Sequence, residues 1–174
     1  ADAGEAPPVE ALGAVDALPS VVPDMRIQVV KVVDLGALHT AEQHADGLSA
    51  EAFDAICTAG KPVVFAFHGY PSLIHRLTYP RNNHGNFHVR GFMEEGTTTT
   101  PLDMTVMNEL DRFPLPQEAI VRTPSLPGKA AAVLNKLAEQ IAQPLRYVRE
   151  HGEDLPDVRG WHWPSALGSA ATPD

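Results

Sequence analysis

The sequence is short of cysteine, aromatic residues and long apolar runs, and each shortage excludes a class of protein. Its one cysteine, Cys57, cannot form an internal disulfide, which excludes a domain held together by disulfides. No apolar run approaches the roughly 20 residues that span a membrane. The first five residues show no basic region followed by an apolar one, so they do not resemble a signal peptide. We therefore expect a cytoplasmic protein, with no membrane partner and with Cys57 as a small apolar residue of the interior.

Positive charge is also scarce. The chain has 13 Lys and Arg against 22 Asp and Glu, a formal net charge of −9. Such a chain repels phosphate backbones, which argues against nucleic acid as a partner. Apolar residues make up 44% of its 174 residues, and this composition predicts one globular domain rather than a disordered chain. With only 6% aromatic residues, its core should be mainly aliphatic.

Periodicity and capping residues predict alternating strands and helices. Apolar, mostly β-branched runs predict strands at residues 25–33, 62–67 and 87–92. Apolar spacings of three and four residues, together with Ser, Thr and Pro start signals, predict the helices. The predicted helices cover residues 8–18, 50–58, 71–77, 100–110, 117–122 and 129–151, the last kinked or split at Pro144. Strands alternating with helices predict a three-layer α/β domain with a mostly parallel sheet.

The charges are unevenly distributed along the chain. Residues 55–93, which we call the basic segment, contain no Asp or Glu. They do contain Lys61, Arg76, Arg81 and Arg90, and histidines at positions 68, 75, 84 and 88. Arginine forks and histidines in such a segment suit a phosphorylated ligand or an acidic face of another domain. The alternative is a loop whose cations are simply solvated.

A second unusual string is Gly96–Pro101, with four threonines ahead of a predicted helix. Thr98, Thr99 and Thr100 could bind an anion at the free amides of the helix start. In the alternative interpretation Thr100 only caps the helix. The string is not a P-loop, because it lacks the Gly-Lys-Ser/Thr ending. The histidines of the basic segment lie in turn sequence without acidic neighbours, and we predict no metal site among them.

Five strings of the sequence resemble one known family, the phosphoketolases, in their C-terminal domain. The strings are residues 65–71 (FAFHGYP), 73–79 (LIHRLTY), 88–91 (HVRG), 94–104 (EEGTTTTPLDM) and 108–113 (NELDRF). Leu155-Pro156 and Trp161-x-Trp163 are similar to the family's usual close. The resemblance covers nearly the whole chain except its last ten or so residues.

The resemblance implies an enzyme domain without its own catalytic parts. Phosphoketolases are lyases that use thiamine diphosphate and Mg²⁺ to convert a sugar phosphate and phosphate into acetyl phosphate and an aldose phosphate. The cofactors lie between two other domains of a homodimer. The C-terminal domain is similar to that of transketolase, an α/β sandwich. This chain lacks the Gly-Asp-Gly stretch of thiamine enzymes, so we expect no cofactor, metal or catalytic residue in it and expect the missing thiamine-binding domains as its partners.

Two other functions stay open at this point: a free-standing regulatory domain that binds a phosphometabolite, or a structural module that forms dimers. The candidate residues for a phosphate ligand or an interdomain contact are His75, Arg76, Arg81, His88, Arg90, Thr98, Thr99 and Thr100. We expect the domain to cover residues 1–163 and a disordered tail to cover residues 164–174. Family members carry an apolar strand just before the string at Ala1–Gly4, so we expect that strand to be lost or supplied otherwise.

Overall fold

A computed structural model of the chain describes residues 2–3, 6–20, 22–93, 96, 100–112, 114–123, 135, 142–144, 146–153 and 155–159. The strands are β1 (Asp2–Ala3), β2 (Val63–Phe67) and β3 (Phe87–Gly91). The longer helices are α1 (Ala6–Ala17), α2 (Ala50–Cys57), α3 (Pro71–Thr78), α4 (Pro101–Met107) and α5 (Pro114–Val121). A further short helix is Pro156–Arg159, and 3₁₀ turns lie at Leu18–Ser20, Leu35–Leu38 and His84–Asn86. Among these residues, no helix has the length and apolar content to cross a bilayer.

The three strands form one parallel sheet in the order β1-β2-β3. β2 is central and pairs along its whole length with β3, from Val63 opposite Phe87 to Phe67 opposite Gly91. β1 is opposite only Ala66 and Phe67. The wholly apolar sequence of β2 suits this central position, because a central parallel strand is covered on both faces. The predicted α/β class with a parallel sheet is confirmed.

Helices cover both faces of the sheet, which gives the three predicted layers. On one face, Phe53 of α2 and Ile74 of α3 pack with Phe65 and Phe87 in a buried cluster. On the other face, α1 and α5 pack against Ala66 through their buried side chains. Each layer therefore contributes an apolar stripe that water cannot reach, and removal of that surface from water is the main force that holds the layers together.

Local signals set the helix starts as predicted. The Ser49 hydroxyl accepts a hydrogen bond from the Ala52 amide at 3.2 Å and caps α2. Pro71 occupies the first turn of α3, where its missing N–H has no intrahelical partner to lose. α5 begins at Pro114, three residues before the predicted start at residue 117, for the same reason.

The predicted strand at residues 25–33 was also wrong. Its residues form no strand; Lys31 alone occupies an isolated bridge position. Ile27, Val29 and Val33 are 37%, 41% and 89% exposed. β-Branched content favours a strand only where a neighbouring backbone offers a ladder, and among the described residues the sheet consists of β1, β2 and β3. The apolar spacing of the helix at residues 50–58 also predicts that Ile56 faces inward, but 37% of it is exposed.

The predicted C-terminal helix is described only in part. Residues 135, 142–144 and 146–151 are helical. Pro144 therefore lies in helical backbone, while most of the predicted span 129–151 lies outside the described residues. The predicted tail at residues 164–174 and the tryptophans 161 and 163 lie outside them as well.

Candidate functional site

Arg81, a candidate for phosphate binding, is directed into the protein. Its guanidinium donates hydrogen bonds to the carbonyl oxygens of Leu38 (3.1 Å), Leu48 (3.0 Å) and Ala37 (3.4 Å), and to that of His39. Only 4% of the residue is exposed. Burial lowers the pKa of Arg81 below its ordinary value, but the ordinary value is so high that the group stays charged. Arg81 therefore binds backbone carbonyls of residues 37–48 and has few donors left for a ligand.

A ring contact completes the environment of Arg81. Its guanidinium carbon lies 4.0 Å from the centre of the Phe53 ring, in cation–π geometry. Phe53 is itself 1% exposed and belongs to the core cluster under α2. The loop at residues 35–48 and the helix α2 thus meet at this one side chain, which makes Arg81 a structural residue of the basic segment.

Arg90, on β3, is the centre of an ion-pair network. Its guanidinium donates to Glu118 Oε2 at 2.7 Å and also to a carboxylate oxygen of Glu109. Arg122 Nε donates to the other oxygen of Glu118 at 2.8 Å. The network joins β3 to α5, and the acidic partners come from outside the basic segment.

The network fixes the protonation of its members. Burial by itself raises the pKa of Glu118, but hydrogen bonds and charge from Arg90 and Arg122 outweigh it and hold the pKa below the ordinary value. Burial lowers the pKa of Arg90, and its bonds to Glu118 and Glu109 more than reverse this, so its pKa is raised. Both groups are charged at neutral pH, and each neutralises the other.

His88 lies on the same strand as Arg90, two residues earlier and half-buried. Burial lowers the pKa of His88, and the positive charges of Arg122 and His75 lower it further against the opposing charge of Glu118. The imidazole is therefore neutral near pH 7. A neutral histidine of this kind offers hydrogen bonds but no charge to a phosphate group.

The remaining candidates are divided between an exposed helix and a loop. His75 and Arg76 are exposed on α3. The Thr100 hydroxyl accepts a hydrogen bond from the Asp103 amide at 3.2 Å, so Thr100 does cap α4 as one interpretation predicted. Thr98 and Thr99 lie outside the described residues.

The carboxyl ends of β2 and β3 meet closely at a glycine. A Cβ atom on Gly91 would lie 2.3 Å from the carbonyl oxygen of Gly69 and 2.4 Å from Cδ of Pro71. Just beyond, the His68 and Phe92 rings stand edge to face with centroids 4.6 Å apart. The backbones of Gly69 and Gly91 therefore approach closely at the strand ends.

Neither metal chemistry nor thiol chemistry has a candidate group in the described part of the chain. Those residues bring together no group of three His, Cys, Asp or Glu side chains that could hold a metal ion. Cys57 packs against the core of α2 and the sheet. Burial raises the pKa of its thiol, which keeps it protonated and poorly reactive.

The described candidates have different partners, although His75 lies near enough to His88 to lower its pKa. Arg81 binds carbonyl oxygens of residues 37–48. Arg90 and His88 face α5. His75 and Arg76 are exposed on α3. Sequence reasoning missed the acidic partners Glu109 and Glu118. The signal that could have found them is the absence of acidic residues from the basic segment, because any carboxylate that pairs with an arginine there must come from elsewhere in the chain.

Comparison with known proteins assigns the family. The XFP C-terminal domain family matches residues 1–163. A protein of Bradyrhizobium diazoefficiens named "Probable phosphoketolase" is 56% identical over 166 residues, which are 95% of this chain and 21% of that protein. Proteins of the same name from Nitrosospira multiformis (53%, over 94% of this chain and 20% of that protein) and Gloeobacter violaceus (54%, 92% and 20%) are similar to it.

The chain spans about a fifth of the length of these curated relatives. The match covers the basic segment, the ion-pair network around Arg90 and the loop bound by Arg81 in one continuous stretch. The residues on which the resemblance depended lie within that stretch. The predicted recognition is confirmed, and this chain belongs to the XFP C-terminal domain family.

Proposed function

We propose that this chain is the C-terminal domain of a thiamine-diphosphate-dependent phosphoketolase, a cytoplasmic homodimer, and that by itself it is noncatalytic. The proposal rests on the family match over residues 1–163 and on relatives of which this chain spans about a fifth. The full enzyme would convert xylulose 5-phosphate or fructose 6-phosphate and phosphate to acetyl phosphate and an aldose phosphate.

The described residues do not form a site that fits the cofactor. Thiamine diphosphate is held through a divalent metal, and the described residues gather no three metal-ligating side chains. The sequence also has no Gly-Asp-Gly stretch. Other parts of the longer enzyme would therefore hold both groups, and no step of the reaction is assigned to this chain.

The internal use of its arginines supports a structural contribution. Arg81 and Arg90 bind carbonyl and carboxylate oxygens of this same chain. A domain whose buried cations are already paired offers a rigid, preformed surface to its neighbours. The alternative is a regulatory domain that binds a phosphometabolite at residues 96–100 and nearby arginines. Residues 97–99 lie outside the described residues, and Arg76 is exposed on α3.

A chimera tests the proposal directly. The Bradyrhizobium relative is expressed whole, without its matching C-terminal fifth, and with that fifth replaced by residues 1–163 of this chain. We expect acetyl phosphate formation from xylulose 5-phosphate, phosphate, thiamine diphosphate and Mg²⁺ in the whole protein and the chimera but not in the truncated form. A folded chimera without activity, or activity of the isolated chain, would contradict the proposal.

Calorimetry distinguishes the structural proposal from the regulatory alternative. The isolated chain is titrated with phosphate, acetyl phosphate, a pentulose phosphate and ATP, and the titration is repeated with Arg76→Ala. The structural proposal predicts no heat of binding from the folded chain. Binding that Arg76→Ala abolishes would instead assign a ligand site to the exposed face of α3.

A further inference from the structure

The exposed side of α3 carries basic and aromatic side chains. Positions i, i+3, i+4 and i+7 of one helix side are Ser72, His75, Arg76 and Tyr79, and all four are exposed. The opposite side of the helix, with Ile74, is buried in the core. We call the four exposed residues the α3 stripe. In the described part of the chain, no carboxylate forms an ion pair with its histidine or its arginine.

The end of this stripe is held in a fixed position. The Arg81 amide donates a hydrogen bond to the carbonyl oxygen of Thr78 at 2.9 Å, and the Arg81 side chain is bound to residues 37–48. His84 Nδ1 donates to the Arg81 carbonyl oxygen at 3.0 Å, and the centre of its ring lies 5.3 Å from that of Tyr79. Tyr79 is nonetheless 72% exposed. An exposed tyrosine that is already ordered binds a protein partner with little loss of conformational entropy.

The residues that precede the basic segment have the opposite charge. Residues 34–54, which we call the acidic segment, contain no Lys or Arg. Its five acidic residues, four of them exposed, are Asp34, Glu42, Asp46, Glu51 and Asp54. Asp46, with 66% of its side chain exposed, also lies 3.7 Å from His44. The sign of the charge therefore changes between two neighbouring segments of the chain.

The two charged surfaces lie side by side on one layer of the domain. The 3₁₀ turn Leu35–Leu38 of the acidic segment contacts α3. Leu38 and Phe53 share the core cluster with Ile74 and Leu77 of α3. A two-fold axis at the boundary would place the α3 stripe of each copy of the chain against the acidic segment of the other. Such an arrangement closes at two copies, because each copy offers both halves of the contact.

We propose that this layer binds a second copy of the chain, with Arg76 and Tyr79 of one copy against the acidic segment of the other. Charge complementarity selects this partner, because the chain itself carries the acidic surface that matches its basic stripe. A small phosphorylated ligand fits less well, since the side of a single helix is convex and such ligands bind in concave sites. The contact uses no thiamine-binding domain, so the inference adds to the proposed function and does not rest on it.

Sedimentation velocity of the chain over a range of concentrations tests the proposal. At low salt we expect a concentration-dependent dimer, and about 0.5 M NaCl, where the Debye length is about 4 Å, should weaken the association about tenfold. The single substitutions Arg76→Glu and Asp46→Arg should each abolish the dimer, since each places like charges in contact twice. Arg149→Glu is the matched control, because Arg149 is exposed on the C-terminal helical segment, and it should leave the dimer intact.

A mixture of the two charge-reversal variants identifies the partner. An Arg76→Glu copy and an Asp46→Arg copy are complementary at both contacts, so their equimolar mixture should dimerise although neither variant does so alone. Failure of this mixture to dimerise, when circular dichroism shows both variants folded, overturns the two-fold pairing. Tyr79→Ser keeps every charge and should weaken the dimer about tenfold, which tests the contact even where a charge reversal prevents folding.

The remaining outcomes also decide the proposal. A chain that stays monomeric at low salt overturns it, and phosphate binding by that monomer, abolished by Arg76→Glu, would make the stripe an anion site instead. A dimer that Arg76→Glu weakens no more than Arg149→Glu does overturns it as well. None of these results alters the outcome of the chimera experiment, so failure of this inference and failure of the proposed function are distinguishable.

Discussion

Glu10 and Arg112 form a bidentate ion pair between residues 102 positions apart in the sequence. Glu10 Oε1 accepts from Arg112 Nη2 at 2.8 Å, and Oε2 accepts from Nε at 3.0 Å and from the Arg112 backbone amide at 2.9 Å. The two side chains are 9% and 16% exposed. Burial lowers the pKa of Arg112, but its bonds to Glu10 outweigh this and raise the pKa. The pair connects α1 with the turn that leads into α5.

Replacement of Glu10 by alanine should destabilise the domain by about 3 kcal/mol, because it leaves a buried guanidinium without its counter-charge. Urea unfolding followed by circular dichroism measures the change. The double variant Glu10→Leu/Arg112→Met should lose much less than the sum of the two single variants, since no charge is left buried. Additive losses would show that the pair is not coupled.

Replacement of Arg81 by lysine should cost about 2 kcal/mol, because an ammonium group cannot reach the carbonyls of Ala37, Leu38 and Leu48 together. Amide exchange of residues 35–48 should quicken more than that of β2. Arg76→Lys is the matched control, since Arg76 is exposed on α3, and it should change stability by less than about 0.5 kcal/mol. An equal loss of stability in the two variants would contradict the structural role of Arg81.

The substitution Gly91→Ala should destabilise the domain by about 2–3 kcal/mol, because the new methyl group meets the backbone of Gly69, which cannot move aside as a side chain would. Gly85→Ala is the control, because nothing lies within 4 Å of a Cβ atom there. Thermal unfolding of the two variants measures the difference. A Gly91→Ala variant as stable as Gly85→Ala would show that the strand ends are not closely packed.

The lowered pKa of Glu118 makes stability depend on acid pH. Its folded-state pKa lies below the ordinary value of 4.5, so the folded protein releases this proton more readily than the unfolded chain. The stabilisation is fully present above the unfolded-state pKa and is lost as the pH falls through the folded-state pKa. As the pH is lowered from 5, the urea concentration at the unfolding midpoint should fall. We expect this fall to be less steep in Glu118→Gln than in the parent chain.

Glu150→Gln serves as the control for this pH dependence, because Glu150 is an exposed carboxylate on the C-terminal helical segment. That variant should keep the acid slope of the parent chain. The two glutamine variants remove the same charge and differ in the presence of Arg90 and Arg122 around the carboxylate. Identical slopes in the parent and Glu118→Gln would contradict a coupled network.

Local features of the chain were predictable because they depend on neighbours in sequence. The apolar run of β2, the Ser49 cap of α2 and the Thr100 cap of α4 all act over a few residues. Family membership was predictable too, since strings such as residues 65–71 are specific by themselves. The fold class follows from the alternation of these elements.

Tertiary structure alone decided which charged groups pair and which extended segments become strands. The sequence by itself determined an excess of cations in the basic segment, but whether Arg81 meets carbonyls and Arg90 meets Glu118 depends on chain parts 28 to 44 positions away. It also determined a strand-like pattern at residues 25–33, yet a strand forms only beside another backbone. Long-range contacts of this kind are fixed by the packing of layers, and no short window of sequence contains them.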